Sequence, residues 1–219
     1  MHIWRQLSPQ ERKQYFLDYY LVKTLIGIAV LIFLVVLIRD LTAVKKTYAL
    51  RIGVYDTSFT DHEKDDLIYH IQKTLNTAES VEIDDAYTSL NDQDLMRIVS
   101  RSTSGQLDVI LADRTTFEYL AGYGYFKDLE QSASEEFLSI YSERLLYCAG
   151  LDIGEDGFQK ENAEGNGELY AAGVLLEGTG LAEYLPDMEE PVMGVIYESE
   201  HLKQAEALLQ LMGTSGRKE

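Results

Sequence analysis

The feature that most constrains the fold is a rhythm of strand and helix patterns, repeated three times between residues 49 and 124. The predicted pairs are strand 49–56 with helix 60–76, strand 80–87 with helix 91–105, and strand 107–113 with helix 115–124. Val109, Ile110 and Leu111 are consecutive apolar residues, which is typical of a strand covered by helices on both faces. The sequence therefore predicts an α/β domain with a doubly wound, mainly parallel sheet and right-handed crossovers. We expect its first three strands in the spatial order two, one, three.

The second half of the chain continues this pattern less regularly. It predicts a helix that passes into a strand over 132–148, strands at 168–176 and 191–199, and an amphipathic closing helix at 200–213. We expect the strand at 192–197 to adjoin the same sheet as the first three strands. The domain predicted from these elements spans residues 48–219.

An apolar segment near the amino terminus predicts a transmembrane helix. Residues 24–38 contain no charged side chain, and Tyr19 and Tyr20 suit the interfacial zone of a bilayer. Lys23 can extend its ammonium group to the same interface. Because a spanning helix needs about 20 residues, we predict one transmembrane helix over residues 19–39, with the lipid bilayer as its binding partner.

The segments on either side of this helix favour an anchor that is retained. Ser8 and Glu11 fit a capping box, and Pro9 fits the first helical position. We therefore predict a juxtamembrane helix over residues 1–18. Signal peptides have shorter amino-terminal regions and small residues before the cleavage site, whereas residues 40–47 are a linker that matches this rule poorly.

The charge of the chain is divided unevenly. Residues 1–51 carry eight Lys or Arg and three Asp or Glu, which leaves 11 basic and 34 acidic residues for the remainder. Because a domain that acidic repels phosphate backbones, we exclude nucleic acid as a partner. Four basic residues lie on each side of the apolar segment, so the positive-inside rule does not set its orientation.

No residue pattern for catalysis or metal binding stands out. Cys148 is the single cysteine and lies among apolar residues, so we expect a core thiol and not a nucleophile. His62 and His70 are separated by about 12 Å along one predicted helix, too far to share an ion. A calcium loop beginning at Asp152 fails because Ala163 stands where a bidentate Glu is needed. We expect no enzyme, no metal and no cofactor.

Several stretches resemble type 2 periplasmic (extracellular solute) binding proteins. Those that resemble the third strand and helix of that family are residues 108–113, Phe117, Leu120, Gly124, Phe126, Asp128 and Leu129. Residues 167–170 resemble its crossing strand, although Gly173 stands where proline is usual, and residues 191–212 resemble its return strand and closing helix. Short membrane-anchored proteins of Gram-positive anaerobes are similar as well. The resemblance implies a domain outside the cytoplasm, with the amino terminus of the chain inside.

The resemblance has one large departure. In the family a second lobe follows the crossing strand and the ligand is enclosed between the lobes, whereas here ten residues separate Gly180 from Pro191. These are too few for a lobe. We therefore expect a single lobe on a membrane helix, and a single lobe cannot enclose a small solute.

Candidate binding residues follow the carboxyl ends of the three predicted parallel strands, where such sheets place their ligands. They are Asp56, Thr57 and Ser58 after the first strand, Tyr87 and Thr88 after the second, and Asp113, Arg114 and Thr115 after the third. The alternative interpretation is that they are helix caps and turn residues, a role that suits Thr115.

These expectations lead to one main hypothesis and two alternatives. The main hypothesis is a non-catalytic, membrane-anchored accessory or recognition module outside the cytoplasm, which contacts a neighbouring membrane protein complex such as a transporter. The first alternative is a small-solute receptor that uses the carboxyl edge of the sheet, with a second copy of the chain in place of the missing lobe. The second alternative, an enzyme, lacks a catalytic constellation. Converging polar groups at this edge would favour the receptor, and an exposed apolar patch a protein partner.

Overall fold

The computed structural model describes residues 21–42, 47–87, 92–154 and 159–212. The chain divides into two units, Met1–Lys45 and Lys46–Glu219. The first unit contains helix α1 (Leu21–Thr42). Judged on the described residues alone, none of the helices combines the length and the apolar character needed to cross a membrane. The predicted juxtamembrane helix, the first two residues of the predicted span and residues 43–46 of the predicted linker lie outside the described residues, while residues 40–42 of that linker belong to α1.

The second unit is built from strands and helices close to the predicted ones. Its described strands are β1 (Tyr48–Tyr55), β2 (Ser80–Tyr87), β3 (Val109–Ala112), β4 (Leu145–Ala149), β5 (Leu169–Leu175) and β6 (Val192–Val195). Its described α-helices are α2 (Asp61–Thr74), α3 (Asp92–Thr103), α4 (Arg114–Gly122), α5 (Leu129–Ser132), α6 (Glu135–Tyr141) and α7 (Leu202–Met212). Short 3₁₀ helices cover Ser142–Arg144 and Ala182–Tyr184.

The six strands form one mixed sheet in the order β2-β1-β3-β6-β5-β4. β1 pairs in parallel with β2 and β3, which confirms the predicted order two, one, three, and β6 adjoins β3 as expected. The expectation of a mainly parallel sheet is wrong, because the β3–β6, β6–β5 and β5–β4 pairings are all antiparallel. A loop without a crossover α-helix joins β5 to β6, and such a connection turns the chain back beside the strand it leaves.

Two apolar layers cover the two faces of this sheet. Leu50, Ile52 and Val54 of β1 point to one layer, which also holds buried side chains of α2, α5, α6 and α7. Tyr55 and Ile110 point to the other layer, where they meet side chains of α3 and α4. The alternation of side chains along each strand produces this division. Helices therefore cover both faces of the mixed sheet.

Two glycines let the sheet approach α4 closely. A Cβ atom at Gly173 or at Gly194 would lie 2.5 Å from the ring of Phe117. That ring stacks on Phe126 with 4.3 Å between the ring centroids. Gly173, which stands where the resembled family has proline, is therefore required by the packing of Phe117.

Side-chain caps fix where α2 and α4 begin. Thr60 and Glu63 form the predicted capping box, in which the Thr60 N–H donates to Oε2 of Glu63 at 2.8 Å. Asp113 caps α4, because its Oδ1 accepts from the N–H of Thr116 at 3.1 Å. The alternative interpretation of the candidate residues as caps and turn residues is therefore confirmed for Asp113, whereas Thr115 is not the cap. α4 begins one residue earlier than predicted.

Candidate binding site at the carboxyl edge of the sheet

The carboxyl ends of β1 and β3 bring two aspartates to the same level of the sheet. Val54 lies opposite Leu111 in the parallel register, and Asp56 and Asp113 each follow two residues later. The loop of residues 176–191 reaches the same edge, because β5 runs in the same direction as β1 and β3. The connections from β1 to α2, from β3 to α4 and from β5 to β6 therefore meet at this edge.

A pocket of about 240 Å³ lies where these connections meet. It is lined by Tyr55, Asp56, Thr57, Asp113, Asp187, Met188 and Glu189. Four of these seven residues are acidic and none is basic. Because sites for drug-sized ligands begin at roughly 300 Å³, the pocket fits a single chemical group or a very small molecule.

A tight turn at the end of β1 positions Asp56. Its φ angle of 47° lies in the left-handed region, which Asp and Asn adopt more readily than most residues. The Asp56 N–H donates to the carbonyl oxygen of Tyr87 at 2.9 Å, and this bond ties the end of β1 to the end of β2. The carboxyl group thus projects from a turn that the sheet itself holds.

The charge around Asp56 is uniformly negative. Partial burial of the carboxyl group, followed by the charges of Asp113 and Asp94, raises the pKa of Asp56 above its ordinary value. The folded protein therefore disfavours the ionised form of this side chain. A cation in the pocket would remove that penalty.

Three hydroxyl groups are buried, with almost no accessible surface and without a hydrogen-bond partner among the described residues: Oη of Tyr55, Oη of Tyr87 and Oγ1 of Thr57. Tyr55 and Tyr87 are 0% exposed and Thr57 is 8% exposed. Burial is the main cause that raises the pKa of both phenols. An unpaired buried hydroxyl costs about 1–3 kcal/mol of stability, and a group in the pocket does not reach oxygens that have no accessible surface.

The structure brings together half of the predicted binding residues. Asp56, Thr57 and Asp113 line the pocket. Tyr87 lies beside it and stacks on Tyr55 with 5.2 Å between the ring centroids. Register and turn geometry therefore place these predicted residues as the parallel-sheet rule implies.

The remaining predicted residues are placed elsewhere or are not described. Ser58 and Thr115 are exposed and are not among the residues that line this pocket. Thr88 lies outside the described residues. None of these three adds a described contact to the pocket.

Arg114 is an exposed side chain that is held in ion pairs. Its Nε donates to Oε1 of Glu118 at 2.8 Å, and its Nη1 donates to Oε2 of Glu190 at 3.5 Å. The hydrogen bond to Glu118 is the main cause that raises the pKa of Arg114. Because two acids already compensate its charge, the side chain joins α4 to the β5–β6 loop and is not among the residues that line the pocket.

Sequence reasoning missed the pocket residues from the β5–β6 loop, Asp187 to Glu189. Leu181 and Leu185 are 0% and 2% exposed and anchor this loop in the core. Two leucines four residues apart in a polar segment were the signal that could have placed the loop against the domain. Its position at the carboxyl edge depends on the antiparallel direction of β6, which the residue pattern did not reveal.

A Ser, His and Asp cluster before β3 and after β6 lacks the geometry of a catalytic triad. Ser199 Oγ donates to Oδ1 of Asp108 at 2.8 Å, and Nδ1 of His201 lies 2.9 Å from the same oxygen. In a triad the serine hydroxyl contacts the histidine, which contacts the acid. Here both contact Asp108, so the histidine is not placed to take the serine proton.

The predicted absence of a reactive thiol has a structural basis. Cys148 is buried in the core, and burial raises the pKa of its thiol to about 11. His70 is half-buried on α2, with its Nε2 3.7 Å from Oδ1 of Asp66. Across the described ranges, no group of three or more His, Cys, Asp or Glu residues could hold a metal ion.

A larger depression of about 790 Å³ lies between α7 and the start of α6. Its one buried acid, Glu206, accepts hydrogen bonds from the N–H and the hydroxyl of Ser134 at 2.9 and 2.8 Å. Its buried carboxylate therefore has partners, in contrast to the hydroxyls at the carboxyl edge. We place the candidate site in the smaller pocket.

The fold and this site together define a class of protein, an α/β domain with a six-stranded mixed sheet and a small acidic pocket at the carboxyl edge of its parallel strands. Comparison of the chain with protein-family models, with curated proteins and with solved structures found no match. The chemistry of the pocket therefore carries the functional argument.

Proposed function

We propose that the chain is a non-catalytic recognition module, anchored in a membrane by residues 19–39, whose pocket binds a group of a neighbouring membrane protein outside the cytoplasm. The observation that carries this proposal is the small acidic pocket where three connections meet at the carboxyl edge of the sheet. The acids of the pocket repel each other in the unbound protein, and a positively charged group of a partner that enters the pocket relieves that repulsion.

The size of the pocket supports a protein partner more than a captured solute. About 240 Å³ holds the end of one side chain. A free molecule of that size makes few contacts and must still lose its translational freedom on binding. A side chain carried by a membrane protein is held near the pocket by the shared bilayer, which raises its effective concentration.

The membrane part of the proposal rests on the sequence and on α1. Leu31 and Phe33 are separated by about 200° around a helix, yet they are 64% and 63% exposed. A helix that presents apolar side chains in all directions is typical of a membrane span. The finding that no helix qualifies as a span concerns described residues, which begin at Leu21, whereas the proposed span begins at Tyr19.

A second candidate function is a small-solute receptor, as a single copy or as a dimer in which the second copy closes the site. The four acids and Thr57 in the lining favour it, because polar groups that converge on a pocket fix the orientation of a small ligand. In both functions the same pocket binds its ligand without catalysis.

The topology is tested with protease on intact spheroplasts that carry the tagged chain. We expect residues 48–219 to be digested from outside, while an amino-terminal tag survives. Protection of the domain in intact spheroplasts, followed by digestion after lysis, would reverse the proposed orientation.

Partner recognition is tested by crosslinking in membranes and purification of the tagged chain in detergent. We expect one membrane protein to be captured by the wild type and lost in the double variant Asp56→Asn, Asp113→Asn. Asn tolerates the left-handed turn at position 56 and caps a helix at position 113, so both changes preserve the backbone. Glu198→Gln, which removes an exposed charge after β6, is the matched control and should retain the partner.

A further inference from the structure

The two outermost strands of the sheet, β2 and β4, each have one side without a neighbouring strand. Such a side presents N–H and C=O groups to which another strand can bond. On β2 the side chains interfere: the Ala86 N–H donates to Oδ1 of Asp84 at 3.2 Å, and the Ala86 carbonyl accepts from Nη1 of Arg97 at 3.5 Å. Glu82 and Asp85 add further charges along the strand. β2 is therefore protected against a further strand.

β4 lacks this protection. Its residues, Leu145–Ala149, include neither a charged side chain nor a proline. Across the described residues, no backbone group outside β5 bonds to the backbone of Tyr147 or Ala149. The Tyr147 side chain is 46% exposed, whereas Leu146 and Cys148 are buried in the apolar layer beneath α4. The strand therefore offers free backbone groups and an exposed aromatic ring.

The bonds at the end of β4 determine which of its backbone groups face outward. Gly150 donates its N–H to the carbonyl of Glu168 at 3.1 Å and accepts from the N–H of Gly167 at 3.0 Å. Both polar groups of Gly150 therefore point to the β5 side. Because this direction alternates along an antiparallel strand, the N–H and C=O groups of Ala149 point away from β5, and those of Tyr147 do the same.

An antiparallel second copy of β4 fits these outward groups. When Tyr147 lies opposite the same residue of the second copy, each donates its N–H to the carbonyl of the other, and Ala149 lies opposite Leu145. The two Tyr147 rings then form an aromatic cross-strand pair. Leu169, which is 71% exposed and pairs with Ala149, gains an apolar neighbour in Leu145 of the second copy. The register thus matches backbone and side chains together.

The charges at the two ends of β4 favour a second copy as the occupant. Arg144 precedes the strand, and its Nη1 donates to the neutral carbonyl group of Glu177 at 2.6 Å, which leaves its charge uncompensated by that bond. At the other end, the exposed Glu168 lies beside Gly150. Antiparallel pairing places Arg144 of each copy opposite Gly150 of the other, with Glu168 one strand further in, about 10 Å away between Cα atoms. Arginine and glutamate side chains bridge that distance, once on each side of the symmetry axis.

We infer that two copies of the chain associate through β4, whose antiparallel pairing joins their sheets into one continuous sheet. This inference goes beyond the proposed function, because no residue of β4 lines the acidic pocket. One short strand contributes little contact area, so the association is weak in dilute solution. A shared bilayer raises the effective concentration of the two copies.

The test traps the dimer of the full-length chain with disulfides, in a Cys148→Ala background and with copper phenanthroline as the oxidant. Tyr147→Cys should give a covalent dimer that a thiol reductant reverses, because facing residues of a bonded antiparallel pair have Cα atoms about 5.5 Å apart, within reach of a disulfide. Tyr197→Cys is the matched control, since Tyr197 is 64% exposed and lies outside β4. It should give little dimer.

A mixed experiment tests the register. Leu145→Cys and Ala149→Cys, carried on chains with tags of different size, should crosslink to each other, because these residues face each other across the dimer. Neither should crosslink to itself, because the two identical positions are about 13 Å apart along the strands. A dimer yield of Tyr147→Cys no higher than that of Tyr197→Cys, or self-crosslinking of Leu145→Cys equal to the mixed product, would overturn the inference.

A proline variant tests the backbone bonds and native membranes test the occupant. Ala149→Pro removes an outward N–H and no bond to β5, so it should lower the dimer yield of Tyr147→Cys about tenfold, whereas Ala149→Gly, which keeps the N–H, should not. Circular dichroism confirms that both variants fold, and the cysteine register decides the question if the proline variant does not. In native membranes, crosslinking of Tyr147→Cys to a different protein and not to a second copy would overturn the inference and identify β4 as a docking strand for that protein.

Discussion

The buried polar groups at the two edges of the sheet differ in whether their hydrogen bonds are complete. At the amino end of β3, Asp108 is 2% exposed and accepts from the N–H of Arg51 at 2.9 Å and from Ser199 at 2.8 Å, and it also contacts His201. At the carboxyl ends of β1 and β2, the hydroxyls of Tyr55 and Tyr87 are equally buried and have no described partner.

This difference distinguishes buried polar groups that stabilise the fold from those that weaken it. A buried group with its bonds complete stabilises the fold, because unfolding must break those bonds. A buried group with bonds missing weakens the fold. The cluster of Ser199, His201 and Asp108 therefore supports the fold, while the two tyrosine hydroxyls reduce its stability.

The strongest test of this contrast is Asp108→Ala. Removal of the carboxylate leaves Ser199, His201 and the Arg51 N–H without their acceptor. We expect a loss of about 3 kcal/mol in the free energy of unfolding, measured by urea unfolding of the full chain. A loss below about 1 kcal/mol would mean that water replaces the carboxylate and that the two edges are less different than their bonding indicates.

Removal of the tyrosine hydroxyls is expected to stabilise the fold, whereas Asp108→Ala destabilises it. Tyr55→Phe and Tyr87→Phe each remove an unpaired hydroxyl and keep the stacked rings. We expect each to raise the free energy of unfolding by about 1 kcal/mol. A variant that loses stability would show that the hydroxyl has a hydrogen-bond partner. The difference between the two edges of the sheet would then not hold for that residue.

A smaller effect with a defined pH dependence is expected for Asp56→Asn. Because the pKa of Asp56 is raised in the folded state, its ionisation favours the unfolded chain. The wild type should therefore lose stability relative to the variant as pH rises from the ordinary Asp pKa through the raised value. Since the side chain is largely exposed, we expect about 0.5 kcal/mol or less at neutral pH. Equal free energies of unfolding for the wild type and the variant at all pH values would contradict this expectation.

The smallest effect is expected for Arg114→Ala. Its ion pairs with Glu118 and Glu190 are exposed to solvent, where such pairs contribute little. We expect no measurable change in Tm by circular dichroism and no change in capture of the membrane partner. Loss of the captured partner would show that Arg114 belongs to the site, and a clear loss of stability would show that its ion pairs stabilise the contact between α4 and the loop.

The sequence predicted the part of the fold that local patterns determine. Consecutive apolar residues such as Val109 to Leu111 indicate a strand buried on both faces, and the Thr60 and Glu63 pair indicates a helix start. These features depend on neighbours in the chain. The direction of β6 depends on how a distant segment packs, so local patterns left it open and the sheet was expected to be mainly parallel.

The candidate site also has one part that the sequence predicted and another part that it did not. Asp56, Thr57 and Asp113 follow strand ends, so a rule about parallel sheets located them. Asp187 and Glu189 enter from a loop more than 70 residues further along than Asp113, and Arg114 is paired by Glu190, 76 residues away. Burial of a hydroxyl such as that of Thr57 is likewise a property of the packed molecule and leaves no local pattern.

The loop between β5 and β6 separates what holds the domain together from what the domain recognises. Leu181 and Leu185 fix the loop in the core and Met188 packs against that core, while Asp187 and Glu189 contribute their charges to the pocket. Substitutions of Asp187 and Glu189 can change the charge of the pocket without disturbing strand register or the two apolar layers. A library randomised at positions 187 and 189 would therefore be a practical source of folded variants with altered pocket chemistry.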